Sequence, residues 1–288
     1  MTGIVYKSTG SWYTVKTPNG KFYECRIKGK FRIQGIKSTN PIAVGDVVEF
    51  DIETKNNTAT GVIKLIEERK NYIVRKSVNL SKQTHIIASN VHQVFLLVTI
   101  NNPPTFTSFI DRFLVSAEAY SIKTILLFNK IDAYGDDTIL EVKYLASIYR
   151  KIGYQCIGIS AKTGKNVEKV KQLMIDNVSI FTGHSGVGKS TLVNAIIGGD
   201  PRAIGDVNDT TGRGRHTSSS AIAFDLPEST GTIIDTPGVR SFGLEHIDRN
   251  RVIGSFEELA NAIAGCPKNC SHDEEKCGLN DYIAEHPE

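Results

Sequence analysis

The residues best suited to chemistry in this sequence lie between positions 183 and 191. The phosphate-binding consensus G-x-x-x-x-G-K-[ST] is matched by Gly183-His184-Ser185-Gly186-Val187-Gly188-Lys189-Ser190, and Thr191 follows. The three glycines allow a tight turn whose backbone N–H groups point at phosphate oxygens. The motif predicts that Lys189 reaches the β- and γ-phosphates of a nucleotide and that the Ser190 hydroxyl binds Mg²⁺.

The segments on either side of this loop supply the context that the motif requires. A short apolar run at 178–181 is typical of a buried strand, and residues 192–197 continue as a helix. The N-terminus of that helix would add a partial positive charge next to the phosphates. The alternative, a chance glycine-rich turn, does not account for both flanking elements.

A second polar loop, Asn129-Lys130-Ile131-Asp132, directly follows the predicted strand 124–128 and resembles the guanine-recognition element of GTPases. The Asp132 carboxylate can accept hydrogen bonds from guanine N1–H and from the exocyclic N2. Adenine has neither donor in that place and would leave the carboxylate unpaired. By the same resemblance, Asn129 connects this loop to the base and to the phosphate loop, and the Lys130 stem lies over the ring. Taken alone, the pattern also fits an ordinary polar turn.

Two further motifs end predicted strands. Ser160-Ala161-Lys162 resembles the second guanine-contacting element, in which a backbone N–H reaches guanine O6. Asp235-Thr236-Pro237-Gly238 matches Asp-x-x-Gly, in which Asp235 holds Mg²⁺ through water and the Gly238 N–H senses the γ-phosphate. A Pro-Gly turn alone would explain the latter. Together with the phosphate loop, however, all these motifs lie at carboxyl ends of strands, where α/β sheets bind ligands.

A loop rich in glycine, aspartate and threonine spans residues 204–216 and is expected to order only around a triphosphate. Thr217 is the first choice to complete the Mg²⁺ shell, together with Ser190 and Asp235. Its rivals are Thr210 and Thr211.

The residue that orients the attacking water is a separate question. Val239 stands where many GTPases carry a glutamine for this purpose, and valine cannot hold water. We expect His216 to do so, because a neutral imidazole can orient water or accept its proton; contact with a partner is the alternative role. Arg213 and Arg215 could stabilise charge or grip an RNA phosphate. The predicted catalytic residues are His216, Lys189 and Thr217.

Apolar and amphipathic segments alternate from about residue 90 to residue 234, which predicts a doubly wound α/β domain with a mainly parallel sheet. In ordinary GTPases the phosphate loop comes first and the guanine-recognition elements follow it. Here the elements at 129–132 and 160–162 precede the phosphate loop. We therefore predict a circularly permuted P-loop GTPase domain over residues 69–245.

Residues 1–68 contain short alternating runs and a hairpin signal at Asn19-Gly20, which predict about five strands in a small closed β-barrel of the SH3-like or OB type. Basic and aromatic residues are interleaved before residue 40: Lys7, Lys16, Lys21, Arg26, Lys28, Lys30, Arg32 and Lys37, with Trp12, Tyr13, Phe22, Tyr23 and Phe31. Such a barrel suits RNA binding, although each aromatic taken singly is better explained as a core residue. A second basic run at 69–82 lies in a predicted polar connector.

The C-terminal segment 246–288 carries a cluster of metal-ligand residues. Cys266, Cys270, His272 and Cys277 offer three thiolates and an imidazole, which suit tetrahedral Zn²⁺. Four protein ligands leave no open position, so the role would be structural. Unligated thiols are the alternative. Cys25 and Cys156 are expected to be buried small side chains.

The composition of the 288-residue chain is ordinary for a globular protein, and a formal net charge of +3 does not by itself indicate a nucleic-acid partner. The longest strongly apolar run, at 94–98, is too short to span a bilayer. The first residues lack the apolar core of a signal peptide. We expect a cytoplasmic monomer that does not bind membranes.

Taken together, these motifs resemble the bacterial ribosome small-subunit-dependent GTPase A family over essentially the whole chain. The resemblance implies an N-terminal OB barrel, a circularly permuted GTPase domain and a C-terminal zinc domain. It also implies binding to the rRNA of the small ribosomal subunit, a role in late maturation of that subunit, and GTP hydrolysis to GDP that the subunit stimulates. The family's switch histidine falls on His216. The competing functions are a non-enzymatic RNA-binding module switched by GTP and a permuted GTPase acting on the large subunit.

Overall fold

The computed structural model describes residues 1–27, 41–55, 58–76, 84–199, 221–227, 230–236, 252–254, 256–267, 270–272, 274 and 277–286. They form a β-barrel, a two-stranded connector, an α/β domain and a pair of short C-terminal helices.

The N-terminal strands close into a five-stranded barrel, which confirms the prediction of an OB-like domain. Its strands are β1 (Thr2–Ser8), β2 (Tyr13–Lys16), β3 (Phe22–Ile27), β4 (Val47–Lys55) and β5 (Thr58–Ile66). The strand order is β1-β2-β3-β5-β4, and β4 pairs back onto β1. Only the β3–β5 pair is parallel. Val5, Val15 and Phe50 fill the interior. Cys25 is fully buried there, as the sequence predicted, and Gly61 leaves room for its sulfur.

The α/β domain has a six-stranded sheet, which confirms the predicted doubly wound fold. Its strands are β8 (Gln93–Val98), β9 (Lys123–Phe128), β10 (Gln155–Gly158), β11 (Val178–Thr182), β12 (Ile222–Asp225) and β13 (Thr232–Asp235). They lie in the order β10-β9-β8-β11-β13-β12. All neighbours are parallel except β12 and β13, which form an antiparallel hairpin.

Both faces of this sheet are covered, because its strands are apolar on both sides. The helices of the domain are α1 (Thr107–Ala119), α2 (Asp136–Lys151), α3 (Val167–Met174) and α4 (Lys189–Ile197). Along β8, Leu96 faces the core formed with α1 and α2, while its neighbour Leu97 faces the core formed with α3 and α4. This alternation is the reason the strand reads as an uninterrupted apolar run. Cys156 is buried on the first face, as predicted.

The connector differs from the polar segment that the sequence suggested. It contains an antiparallel pair, β6 (Tyr72–Lys76) and β7 (Thr84–Ser89). The fully buried Asp46 of the barrel receives hydrogen bonds from Arg69 Nε and Nη2, each 2.6 Å long, and from Ser89 Oγ at 2.6 Å. Asn71 extends these contacts by exchanging two 2.8 Å hydrogen bonds with the backbone of Val91. The basic run therefore begins with residues that join the barrel to the α/β domain.

Two short helices, α5 (Glu257–Ile263) and α6 (Gly278–Glu285), pack against each other near the C-terminus. A Cβ on Gly278 would lie 2.5 Å from the carbonyl oxygen of Ala262, so the close approach requires glycine at that position. Among the described residues, no helix is both long enough and apolar enough to cross a bilayer.

Replacing Arg69 with methionine should lower the free energy of unfolding by about 3–5 kcal/mol, because it leaves the buried Asp46 carboxylate without its cation. Denaturant unfolding of the whole chain measures this loss. Lys64→Gln is the matched control, since Lys64 pairs with Asp51 on the barrel surface and exposed pairs contribute little. Equal midpoints for the two variants would contradict the assigned role of Arg69.

Candidate nucleotide site and metal cluster

The phosphate-loop motif lies between β11 and α4, at the carboxyl edge of the sheet. Gly183 and Gly188 have φ values of +141° and +100°, which strongly favour glycine. A Cβ on Gly183 would lie 2.7 Å from the Leu97 carbonyl oxygen. Ser185 and Ser190 are exposed on the open side of the loop, whereas Val187 is fully buried beneath it.

Lys189 is the first residue of α4, and its side chain turns back over the loop. Its Nζ donates hydrogen bonds to the carbonyl oxygens of Gly183, at 2.6 Å, and His184, at 2.8 Å. The ammonium group is therefore held above the loop backbone, next to the N-terminus of a helix. A cation next to the N-terminus of a helix favours a bound anion.

Asn129 connects the three predicted nucleotide-binding loops. Its side chain is 2% exposed; Nδ2 donates to the Val187 carbonyl oxygen at 2.8 Å, and Oδ1 accepts from the Ala161 N–H at 3.0 Å. A Cβ on Gly188 would lie 2.4 Å from Nδ2. The structure thus brings the 129–132 motif, the 160–162 motif and the phosphate loop together through one amide.

Asp132 is exposed at the mouth of this arrangement, while Ser160 is fully buried behind it. A hydrogen bond from the Ser160 side chain, with a smaller contribution from the charge of Lys162, lowers the pKa of the Asp132 carboxyl below its usual value. The carboxylate therefore stays ionised at neutral pH and on mild acidification. An ionised carboxylate with an open face can accept two hydrogen bonds from one ligand edge. Ile131 anchors the loop through its N–H, which donates to Ile159 O at 3.3 Å.

Sequence reasoning did not predict that the segment after β8 contacts the 129–132 motif and the phosphate loop. Lys130 donates from Nζ to the Asn102 carbonyl oxygen, and Pro103 lies against Gly186 of the phosphate loop. The Phe109 ring lies 3.9 Å from the His184 ring, between centroids. The Asn-Asn-Pro-Pro turn at 101–104 was a usable signal, because it follows the carboxyl end of a central strand.

The histidine of the phosphate loop is held in its neutral form. Burial against Phe109, and then the nearby charge of Lys189, lower the pKa of His184 below its usual value. A neutral ring adds no further positive charge to the loop at neutral pH.

Asp235 ends β13 and is exposed at the same edge of the sheet. Because β13 is the parallel neighbour of β11, the Asp235 carboxylate and the phosphate loop leave adjacent strands in the same direction. His216, Thr217 and Gly238, which the sequence placed in this site, lie outside the described residues.

The predicted metal ligands of the C-terminal segment come together. The Cys266 and Cys277 sulfurs are 3.9 Å apart, and His272 Nδ1 lies 3.8 Å and 3.5 Å from them, respectively. With Cys270, all four ligand atoms lie within 4.8 Å of one another. Ligand atoms around tetrahedral zinc are about 3.5–3.8 Å apart, given metal–ligand bonds of about 2.0–2.3 Å. Cys266, His272 and Cys277 therefore have about the spacing of tetrahedral metal ligands, and Cys270 lies close enough to be the fourth.

The local fold also prepares Cys277 to bind a metal as a thiolate. Burial raises the pKa of Cys277, but hydrogen bonds from the backbone at Asn280 and Leu279 and from His272 oppose it and bring the value to about 7. Cys277 directly precedes α6, so these backbone groups belong to the first turn of that helix. The N-terminus of a helix favours the negatively charged form of a cysteine.

Comparison with known sequences gives matches over nearly the whole chain. A family model described as RsgA GTPase matches residues 66–245, and one described as RsgA N-terminal domain matches residues 2–63. The small ribosomal subunit biogenesis GTPase RsgA of Christiangramia forsetii is 59% identical over 287 residues, which cover 99% of this chain and 91% of that protein. The Flavobacterium johnsoniae protein of the same name is 55% identical, covering 96% and 85%, respectively.

Solved structures resemble the fold as well. YjeQ from Thermotoga maritima superposes with a TM-score of 0.73 at 32% identity, covering 99% of this chain and 91% of that one. YloQ, a circularly permuted GTPase, superposes with a TM-score of 0.69 at 25% identity, covering 99% and 88%. The present chain is permuted in the same sense, because its motifs at 129–132 and 160–162 precede the phosphate loop.

Gly188→Ala should weaken binding of guanine nucleotides, because the added methyl group displaces the Asn129 amide from its two partners. Loss of a buried hydrogen bond costs about 1–3 kcal/mol, or roughly 5- to 150-fold in affinity. Titration with fluorescent GDP measures the change. Gly198→Ala is the matched control: its φ of +80° imposes similar strain, but no atom lies within 4 Å of the added carbon. Comparable losses in both variants would show that backbone strain alone is responsible.

Proposed function

From the fact that this chain belongs to the RsgA GTPase family, we propose that it hydrolyses GTP to GDP and phosphate in late maturation of the small ribosomal subunit. The observation that carries the proposal is the meeting of two distant motifs. Asn129 and Val187 are 58 positions apart, yet a single hydrogen bond joins the guanine-recognition motif to the phosphate loop.

Guanine specificity is assigned to the motifs at 129–132 and 160–162. The open face of Asp132 accepts from guanine N1–H and N2. Asn129 holds the 160–162 motif against the same loop, and a backbone N–H of that motif is proposed to donate to guanine O6. Lys130 supports the base with its aliphatic stem. Adenine would leave the Asp132 carboxylate without donors, so ATP is a poor substrate.

The phosphates are assigned to residues 183–191, with Lys189 as the principal cation. The exposed Ser190 hydroxyl and the Asp235 carboxylate offer the hard oxygen ligands that Mg²⁺ prefers, and Thr217 is proposed to complete the set. When bound, Mg²⁺ neutralises charge that develops on the phosphate oxygens. On GTP binding, Lys189 exchanges the loop carbonyls for phosphate oxygens, because they compete for the same ammonium protons.

The attacking water is assigned to His216. Val239 cannot orient it, and a neutral imidazole can. Slow intrinsic hydrolysis that rises on contact with the ribosomal subunit is expected of a site in which the partner completes the geometry.

The barrel, residues 1–68, is assigned to rRNA. Trp12 and Phe22 are each 45% exposed, so the expectation that single aromatics are core residues is wrong for these two, and exposed rings suit stacking with bases. Tyr13, by contrast, is a core residue, so the expectation that single aromatics are buried holds for it. The GTPase domain is assigned to residues 69–245 and a structural Zn²⁺ domain to 246–288. The protein acts as a cytoplasmic monomer between rounds of subunit binding.

GTP turnover by the whole chain should rise at least about tenfold when purified small ribosomal subunits are added. Large subunits should not have this effect. Phosphate release measured with each subunit provides the test. Turnover that neither subunit changes would favour a non-enzymatic switch, and stimulation by large subunits alone would favour the large-subunit alternative.

His216→Ala should reduce stimulated turnover about a hundredfold while leaving GDP affinity unchanged, because water orientation affects the transition state and not nucleotide binding. Single-turnover hydrolysis and GDP titration measure the two effects. His286→Ala, at an exposed histidine directly after α6, is the control. Normal stimulated turnover in the His216 variant would remove it from the mechanism.

Purified protein should contain about one zinc ion per chain, as a closed four-ligand site requires. Cys266→Ser should abolish the zinc content, whereas Cys156→Ala, at a buried cysteine outside the cluster, should preserve it. Elemental analysis measures both. The cobalt-substituted protein should show thiolate charge-transfer absorption, and a zinc content unaffected by Cys266→Ser would contradict the ligand set.

A further inference from the structure

The barrel and the GTPase sheet are one continuous sheet of eleven strands, joined where β1 pairs with β12. The register at this joint aligns three residues: Lys7 of β1 pairs with Ile222, and Ile222 pairs with Asp235 of β13. The barrel backbone is therefore only two strands from the residue proposed to hold Mg²⁺. β12 lies between them.

Tyr6 binds the other end of the β12–β13 hairpin, where β12 ends at Asp225. The β1–β2 register shifts between Val5 and Lys7, so Tyr6 lies in a bulge. Bulges commonly re-aim a side chain. The Tyr6 ring is 7% exposed and belongs to the core of the α/β domain together with Ala223 of β12. Its hydroxyl donates to Asp225 Oδ1 at 2.6 Å.

Lys16 of β2 reaches the same carboxylate from the barrel surface. Its Nζ forms an ion pair with Asp225 Oδ2 at 2.5 Å and lies 5.2 Å from the Tyr6 ring centroid and 5.8 Å from that of Phe22. Both charged side chains remain partly exposed, at 24% for Lys16 and 42% for Asp225. Asp225 thus connects a GTPase hairpin to a lysine on the surface assigned to RNA.

We propose that Tyr6, Lys16 and Asp225, here called the barrel–hairpin junction, are positioning residues that couple RNA contact at the barrel to GTP hydrolysis. The inference rests on the proposed function. An RNA phosphate near Phe22 attracts the Lys16 ammonium, and because Lys16 and Tyr6 both hold the Asp225 carboxylate, a movement of the barrel surface shifts that end of the hairpin. The backbone register carries the shift to Asp235, so the coupling requires the intact junction.

The coupling concerns the rate of hydrolysis, for which thermodynamic linkage does not require a reciprocal change in RNA affinity. The Asp46–Arg69 pair does not serve this purpose. It joins the barrel to the connector, and its described hydrogen bonds do not involve the hairpin.

The test uses the whole chain with Tyr6→Phe, Lys16→Gln and Asp225→Asn, each of which nearly preserves side-chain size. Three quantities are measured: basal GTP turnover, turnover at saturating small subunits, and the subunit concentration that gives half-maximal stimulation. In Tyr6→Phe and Asp225→Asn, maximal stimulated turnover should fall at least about fivefold, the lower range of allosteric coupling. Basal turnover and the half-maximal concentration should stay within about twofold, because neither side chain touches nucleotide or RNA.

The double variant Lys16→Gln/Asp225→Asn should lose no more stimulation than Asp225→Asn alone, because both act through one carboxylate. Asp51→Asn is the matched control, since it breaks another surface lysine–aspartate pair of the barrel, with Lys64. It should leave all three quantities unchanged.

Three results would overturn the proposal: full stimulation in all three junction variants, an equal fractional loss of basal turnover, or a change confined to the half-maximal concentration. The second would assign the junction a general structural role, and the third would make Lys16 a simple RNA contact. If small subunits fail to stimulate the unaltered protein, both the proposed function and the junction proposal are refuted. If they stimulate it and the variants behave normally, only the junction proposal fails.

Discussion

The two hydrogen bonds of the buried Asn129 side chain determine whether this chain has a nucleotide site. Its amide donates to the phosphate loop and accepts from the loop after β10, so the three loops cannot move independently. An unpaired buried amide would cost about 1–3 kcal/mol, which favours the assembled arrangement even before a ligand binds. The same contact explains why residue 188 is glycine, because the Cβ of any other residue would overlap the Asn129 amide nitrogen.

Circular permutation leaves this interaction intact because the sheet depends on strand neighbours and not on chain order. β8, β9 and β11 are parallel neighbours, so the loops at their carboxyl ends meet whichever comes first along the chain. What the permutation changes is connectivity. The β12–β13 hairpin becomes the last part of the sheet, and β12 lies beside the barrel strand β1. Asp235, the candidate for Mg²⁺ binding, thus belongs to a hairpin whose other strand pairs with the barrel.

The C-terminal helices follow a different principle. None of the described side chains of α6 is buried, so apolar packing contributes little to its position. Cys277, which precedes α6, is fully buried beside Cys266, Cys270 and His272. A small unit of this kind needs a metal or covalent staple, because its apolar core cannot offset the conformational entropy of folding. A metal held by the four clustered residues would supply such a staple.

Local chemistry determined most of what the sequence revealed. Five features depend on residues that lie close together in the chain: the phosphate loop, the Asn-Lys-x-Asp loop, the α/β alternation, the small barrel and the cysteine cluster. The structure contains each of them. Only tertiary structure decided that 69–89 contains a strand pair, that Asn102 and Phe109 brace the site, and that Tyr6 and Lys16 meet Asp225. These contacts join residues up to 219 positions apart, and a single pair of distant side chains leaves no periodic or spacing signal along the chain.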